Sequence, residues 1–144
     1  MNNVAIANRI EAPCNWEAAL SRLRVAEQVN RQYFKEVYSP AVDHEKAFEK
    51  THGLDPSRSG YVERRKALEA KHRYRIARSI EETADRLCNE ACAADDELMQ
   101  TPSPDLKALR FKLERILATD DSGTEGWSAD YVQQTVEDMR RLLK

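Results

Sequence analysis

Ala77-Arg-Ser-Ile80-Glu-Glu-Thr-Ala84-Asp-Arg-Leu87-Cys-Asn-Glu-Ala91-Cys-Ala-Ala94-Asp-Asp-Glu-Leu98 is the stretch that decides the fold class. Its apolar positions, Ala77, Ile80, Ala84, Leu87, Ala91, Ala94 and Leu98, alternate steps of three and four, the period of a coiled-coil seam. Alanine holds much of that seam, so a neighbouring helix can approach closely.

A matching stripe lies upstream. Trp16, Leu20, Leu23, Ala26, Val29, Tyr33 and Val37 recur every three to four residues, a helical spacing and not a strand-like one. Between the stripes, Gly53-Leu-Asp-Pro-Ser-Arg-Ser-Gly60 concentrates glycine and proline in a turn. Folding the chain antiparallel about that turn pairs residues whose numbers sum to about 113. Trp16 then meets Leu98, Leu23 meets Ala91, Ala26 meets Leu87, Tyr33 meets Ile80, and Val37 meets Ala77 or Ile76. The two stripes agree in register, and the expectation is an all-α protein built on a long antiparallel hairpin.

The punctuation sets the boundaries. Residues 1–12 lack caps and periodicity and read as a flexible arm. Helix one runs over 15–51, opening at Asn15 after Pro13, with a kink or short break near Pro40, where Ser39 can cap. Helix two spans 61–100. Thr101-Pro-Ser-Pro-Asp105 ends it, and Ser103 caps helix three at 104–119, which buries Leu106, Leu109, Leu113, Ile116 and Leu117. After the loop Asp120–Gly126, helix four covers 128–143, with Ser128 at its start and Trp127 and Val132 placed as a staple. Val132, Val136, Met139, Leu142 and Leu143 are expected to face inward. Both short helices then pack at the base of the hairpin, giving a four-helix bundle-like single domain over 1–144.

Composition agrees with that architecture. Charged residues make up 33% and aromatics 7%, and four Gly with five Pro are too few for a turn-rich β fold. Cys14, Cys88 and Cys92 read as reduced thiols, and the amino terminus has no signal-peptide pattern, so a cytoplasmic protein is expected. No run of about 18 apolar residues is present to span a membrane.

A net charge of -2 hides a reversal. From Arg58 to Arg78 there are eight Lys/Arg against two acids; from Ser79 to Glu97 there are seven acids against one Arg. Polarised helical surfaces of this kind meet charged partners. On the heptad frame of helix two, Arg64, Lys71 and Arg78 share an outward position, with Arg65, His72 and Arg75 beside it. These six are the candidate partner-binding residues, suited to an acidic protein surface or to phosphates. The extrapolated seam reads Arg73, Ala70, Lys66 and Glu63, so the distal third of the hairpin should have little apolar core and the most motion.

Catalytic chemistry finds no foothold. Glu69-Ala-Lys-His72 has the Glu-x-x-His spacing of carboxylate-bridged di-iron bundles, but the facing helix offers only Ala41-Val-Asp-His44. Cys88 and Cys92 lack a second cysteine pair and read as core-edge residues. Asp120, Asp121, Glu125 and Asp130 do not follow calcium-loop spacing. No nucleophile elbow or phosphate-cradling glycine loop is present. The expectation is a chain with no metal, no cofactor and no enzymatic activity.

Asn15-Trp16-Glu-Ala-Ala-Leu20 and Thr101-Pro-Ser-Pro-Asp-Leu-Lys-Ala-Leu-Arg-Phe-Lys-Leu-Glu114 resemble segments of small uncharacterised helical proteins from bacterial, often prophage-like, gene neighbourhoods. The resemblance implies a mobile-element origin and transfers no functional residue. The expected function is that of a helical adaptor or inhibitor that binds another macromolecule through the hairpin, such as a phage-encoded modulator of a host system. A nucleic-acid-associated accessory protein is the alternative, and self-association through uncovered apolar surface is a further expectation.

Overall fold

The computed structural model describes the backbone of residues 4–117 and 129–144 and the side chains of residues 15–116 and 131–144. The described chain is all-α. Its helices are α1 (Val4–Tyr33), α2 (Ser39–Thr51), α3 (Tyr61–Lys71), α4 (Arg78–Gln100), α5 (Leu106–Leu117) and α6 (Ala129–Leu142), with a π-helical turn at Phe34–Tyr38 between α1 and α2. No helix among the described residues is long and apolar enough to cross a membrane. The loop Asp120–Gly126, Trp127 and Ser128, and the side chains of Cys14, Leu117 and Asp130, lie outside the described residues, so the readings placed on them stand untouched.

Three boundaries differ from the sequence reading. Helix α1 begins at Val4, where a flexible arm was expected, and passes through Pro13. Ala5, Ala7, Ile10 and Glu11 are compatible with helix, and one proline removes a single donor without ending a helix that continues on both sides. Near Pro40 the chain does not break. Pro40 sits in the first turn of α2 as anticipated, and the strain of its ring against the preceding turn is taken up by the π turn, in which the Ser39 N–H donates to the Phe34 carbonyl, five residues back.

The third difference matters most. Helix two is interrupted: His72 leaves α3 with extended backbone (φ -135°, ψ 132°), and helix resumes only at Arg78. Tertiary contacts override propensity here. In the extended conformation, Tyr74, Arg75 and the Ile76 amide all reach carboxylates of α2, which successive residues of a helix could not do.

The chain divides into two compact units, Met1–Glu27 with Glu90–Lys144, and Gln28–Asn89. The first holds the apolar core: Trp16, Ala19, Leu20 and Leu23 of α1, Leu98 of α4 and Ala108 of α5, with Ala94 and Phe111 against it. Trp16 meets Phe111 edge to face at 6.1 Å, an arrangement favoured by the ring quadrupoles. Ionic contacts frame this core. Arg115 of α5 pairs with Glu27 at 2.9 Å and Asp95 at 2.8 Å, and Arg22 pairs with Glu97.

A buried ion pair joins α5 to α6. Lys112 and Asp138 are both essentially inaccessible and lie 2.8 Å apart. Asp138 also accepts from the Ser103 N–H at 2.9 Å, from Gln134 at 3.2 Å and from Arg141 at 3.0 Å. The α5 cap accordingly moves from Ser103 to Asp105, whose carboxylate accepts from the Ala108 N–H at 2.8 Å. Helix α6 turns Thr135 and Asp138 inward, while Val132, Val136 and Leu143, expected inside, are exposed; Leu106 of α5 is likewise exposed.

Candidate interaction surface

The basic segment lies in the second unit, on α3 and the extended residues that follow. Its geometry is set by two carboxylates of α2. Glu45 and Glu49 are one helical turn apart on the same face, and both are buried at 8% exposure. Buried carboxylates need charge and hydrogen-bond partners, and these have both. Glu45 accepts from Arg65 at 2.6 Å, from Arg75 at 3.2 Å and from the Ile76 N–H at 2.9 Å. Glu49 accepts from the hydroxyls of Tyr61 and Tyr74, each at 3.1 Å, and lies 2.8 Å from the Arg65 Nε. Glu69 completes the set by accepting from Arg75 at 2.8 Å.

An aromatic layer lies against this network. The Phe48 ring stacks with Tyr74 at 4.7 Å and with His52 at 4.2 Å, and His72 meets it edge-on at 5.5 Å. Burial pushes the Tyr74 and Tyr61 phenols above their ordinary range, and hydrogen bonding to the Glu49 carboxylate adds to it. Both tyrosines therefore stay neutral donors. Every carboxylate in the cluster is held by cations or hydroxyls, an arrangement that fixes shape and leaves no free general base.

The six candidate residues divide. Arg65 and Arg75 turn inward to Glu45, Glu49 and Glu69 and are consumed by the fold. His72 packs on Phe48, so its Glu69-x-x-His72 spacing serves packing, and Glu69 is occupied by Arg75. Arg78 belongs to α4, where it pairs with Glu82 at 2.7 Å. Arg64 is exposed and donates to the Ser59 carbonyl at 3.0 Å. Lys71 is exposed.

The heptad frame fails upstream of Arg78 because the break at residues 72–77 resets it. Lys66 and Arg73, which the extrapolated seam placed inside, are exposed. The outward cations are thus Arg64, Lys66, Lys71 and Arg73, and none has an ion pair among the described residues. A sequence signal for the inward set exists: Val42, Glu45, Phe48 and Glu49 share the apolar spacing of α2, and Tyr61, Arg65 and Glu69 recur every four residues on α3.

Elsewhere Cys88 and Cys92 are exposed, not packed at a core edge. Among the described residues no three His, Cys, Asp or Glu side chains converge as metal ligands. No protein family, curated protein or solved structure matches the chain.

Proposed function

We propose that this chain is a non-enzymatic cytoplasmic interaction protein that docks an acidic surface of another protein on the outer side of α3 and the segment after it. The observation that carries this reading is the sorting of charge within one short stretch. Arg65 and Arg75 neutralise the local carboxylates inside, while Arg64, Lys66, Lys71 and Arg73 stand outside without carboxylate partners. Cations left unneutralised on a rigid support favour encounter with an opposite charge and cost little reorganisation on binding.

A nucleic acid is the second reading, because the same cations would release counterions from phosphates. The tyrosines weigh against it. Tyr61 and Tyr74 direct their hydroxyls to Glu49, and Tyr74 is buried, so the stacking platform common in single-strand binders is not offered. A phage-encoded modulator of a host system is the setting suggested by the sequence reading of residues 15–20 and 101–114 alone.

Reversing Arg64, Lys71 and Arg73 together to glutamate should leave the thermal midpoint within about 2 °C of wild type, because exposed charges contribute little. Capture of the native partner should fall by at least about tenfold, and wild-type capture should weaken as salt rises. Capture that survives nuclease supports a protein partner; capture abolished by nuclease supports the second reading. Unchanged capture by the triple variant would reduce the basic face to a solvated surface.

The finer architecture belongs to the same proposal: an antiparallel hairpin of the two long helical arms, with α5 and α6 at its base. Two observations support the register. Trp16 and Leu98 belong to one core cluster, and the Tyr33 hydroxyl donates to the Ile80 carbonyl at 3.3 Å. Cysteines placed at positions 23 and 91 of otherwise cysteine-free protein should cross-link readily. Efficient linkage of 23 to 80 in their place would refute the register.

A further inference from the structure

Helix α6 is oriented against its own pattern. Val132, Val136, Met139 and Leu143 recur at steps of four, three and four, one continuous apolar stripe. The buried residues are instead Thr135 and Asp138, with Tyr131, Met139 and Leu142 half-buried. At about 100° per residue, the apolar stripe lies roughly a quarter-turn from the buried face. Val132 is 43% exposed, Val136 37% and Leu143 62%. Rolling the helix to bury the stripe would pull Asp138 from Lys112, the Ser103 amide and Arg141, so the orientation is fixed by a buried ion pair.

Charges beside the stripe say what covers it. Glu137 and Arg140 are exposed. Glu137 is held only by a neutral amide, that of Gln133 at 3.2 Å, and Arg140 has no ion pair among the described residues. We propose that this face is a self-association site on which a second copy of the chain seats its own α6 antiparallel. Two-fold pairing sets Val132 against Leu143 of the second copy and Val136 against its Met139, with the reciprocal contacts generated by symmetry. The same register brings Glu137 to Arg140 of the second copy, twice. In a parallel arrangement the two-fold axis would place Glu137 and Arg140 of the two copies on opposite flanks of the stripe, where they do not meet, so only the antiparallel arrangement pairs them. Three helical turns make a small interface, so the dimer should be weak, with a Kd on the order of 10–100 µM.

Sedimentation equilibrium of the full chain from roughly 1 to 500 µM tests this. Wild type should show a monomer–dimer equilibrium. Val136→Glu with Leu143→Glu should remain monomeric throughout while keeping the wild-type helical circular dichroism. Arg140→Glu alone and Glu137→Arg alone should each weaken association by about fivefold to tenfold, and the double exchange should restore it. The charge exchange keeps the test decisive if the glutamate pair perturbs the fold. A wild-type monomer at every concentration, or a dimer indifferent to Val136→Glu with Leu143→Glu, overturns the proposal. A double exchange no better than its singles overturns the antiparallel pairing.

Discussion

Asp138→Ala should destabilise the first unit by about 3–5 kcal/mol, measured as a lowered urea midpoint at neutral pH. Among the described residues this carboxylate is the sole counter-charge within 4 Å of Lys112, which has no accessible side-chain surface. Removing it strands a buried ammonium and also orphans the Ser103 N–H, so the loss exceeds that of one ordinary hydrogen bond. The Thr101 carbonyl, which accepts from the Lys112 Nζ, and the Trp16 ring, 5.5 Å from it, offer only partial substitutes because neither carries a negative charge. Lys112→Met combined with Asp138→Leu should recover the part of the loss that comes from the stranded ammonium, while the Ser103 N–H stays without its acceptor. A single-variant loss below about 1 kcal/mol would mean that water reaches the pair.

The same site gives an acid limb. Burial by itself would raise the Asp138 carboxyl, but hydrogen bonds from Lys112, Ser103 and Arg141 outweigh it and hold the group below the ordinary carboxylate range. The native state therefore binds this proton less readily than the unfolded chain. The contribution is complete above the unfolded carboxyl value of about 4 and is lost as pH falls through the lower native value. Stability should decline over that window, and the decline should shrink in the Met/Leu double variant.

Glu45→Ala should cost the second unit about 2–3 kcal/mol. One side chain holds Arg65, Arg75 and the Ile76 amide, so its loss removes the contacts that keep residues 72–77 extended against α2. The cost is smaller than at Asp138 because the Arg65 and Arg75 side chains remain 26% and 43% exposed and can be re-solvated. Amide exchange at Ile76 should accelerate in step with the loss. Glu45→Gln, which keeps an acceptor for that amide but not the charge, should fall between alanine and wild type. Protection of Ile76 unchanged in Glu45→Ala would show that other contacts hold the segment.

The apolar periodicities carried the fold class: Trp16, Leu20, Leu23, Ala84, Leu87 and Leu98 are buried, as their spacing requires, whereas Val29, Val37 and Ala77 of the same stripes are exposed. The polar core was harder to read. Lys112 and Asp138 lie at helical spacing from Ala108 and Thr135, yet a charged residue on such a face reads as solvated unless its distant partner is known. The basic face was half legible. Arg64, Lys71 and Arg78 are exposed as expected, whereas Arg65 is half-buried against Glu45 and Glu49, and Arg75, though exposed, is tied to Glu45 and Glu69, because a heptad frame was carried through a helix break. That break leaves no glycine or proline signature between His72 and Ala77; long-range carboxylates create it.

The π turn at Phe34–Tyr38 has a consequence for how this chain tolerates change in length. Such a turn holds one residue more than an α-helical turn, so it splices two amphipathic helices out of phase by about 100°. Deleting one residue from it would rotate α2 about its own axis. Glu45 and Glu49 would swing away from Arg65, and the inward arginines would lose their counter-charges. The bulge is thus a phase corrector: it sets the carboxylate-bearing side of α2 toward Arg65 and the extended residues after α3, a direction that an unbroken α-helical repeat through residues 34–38 would not give.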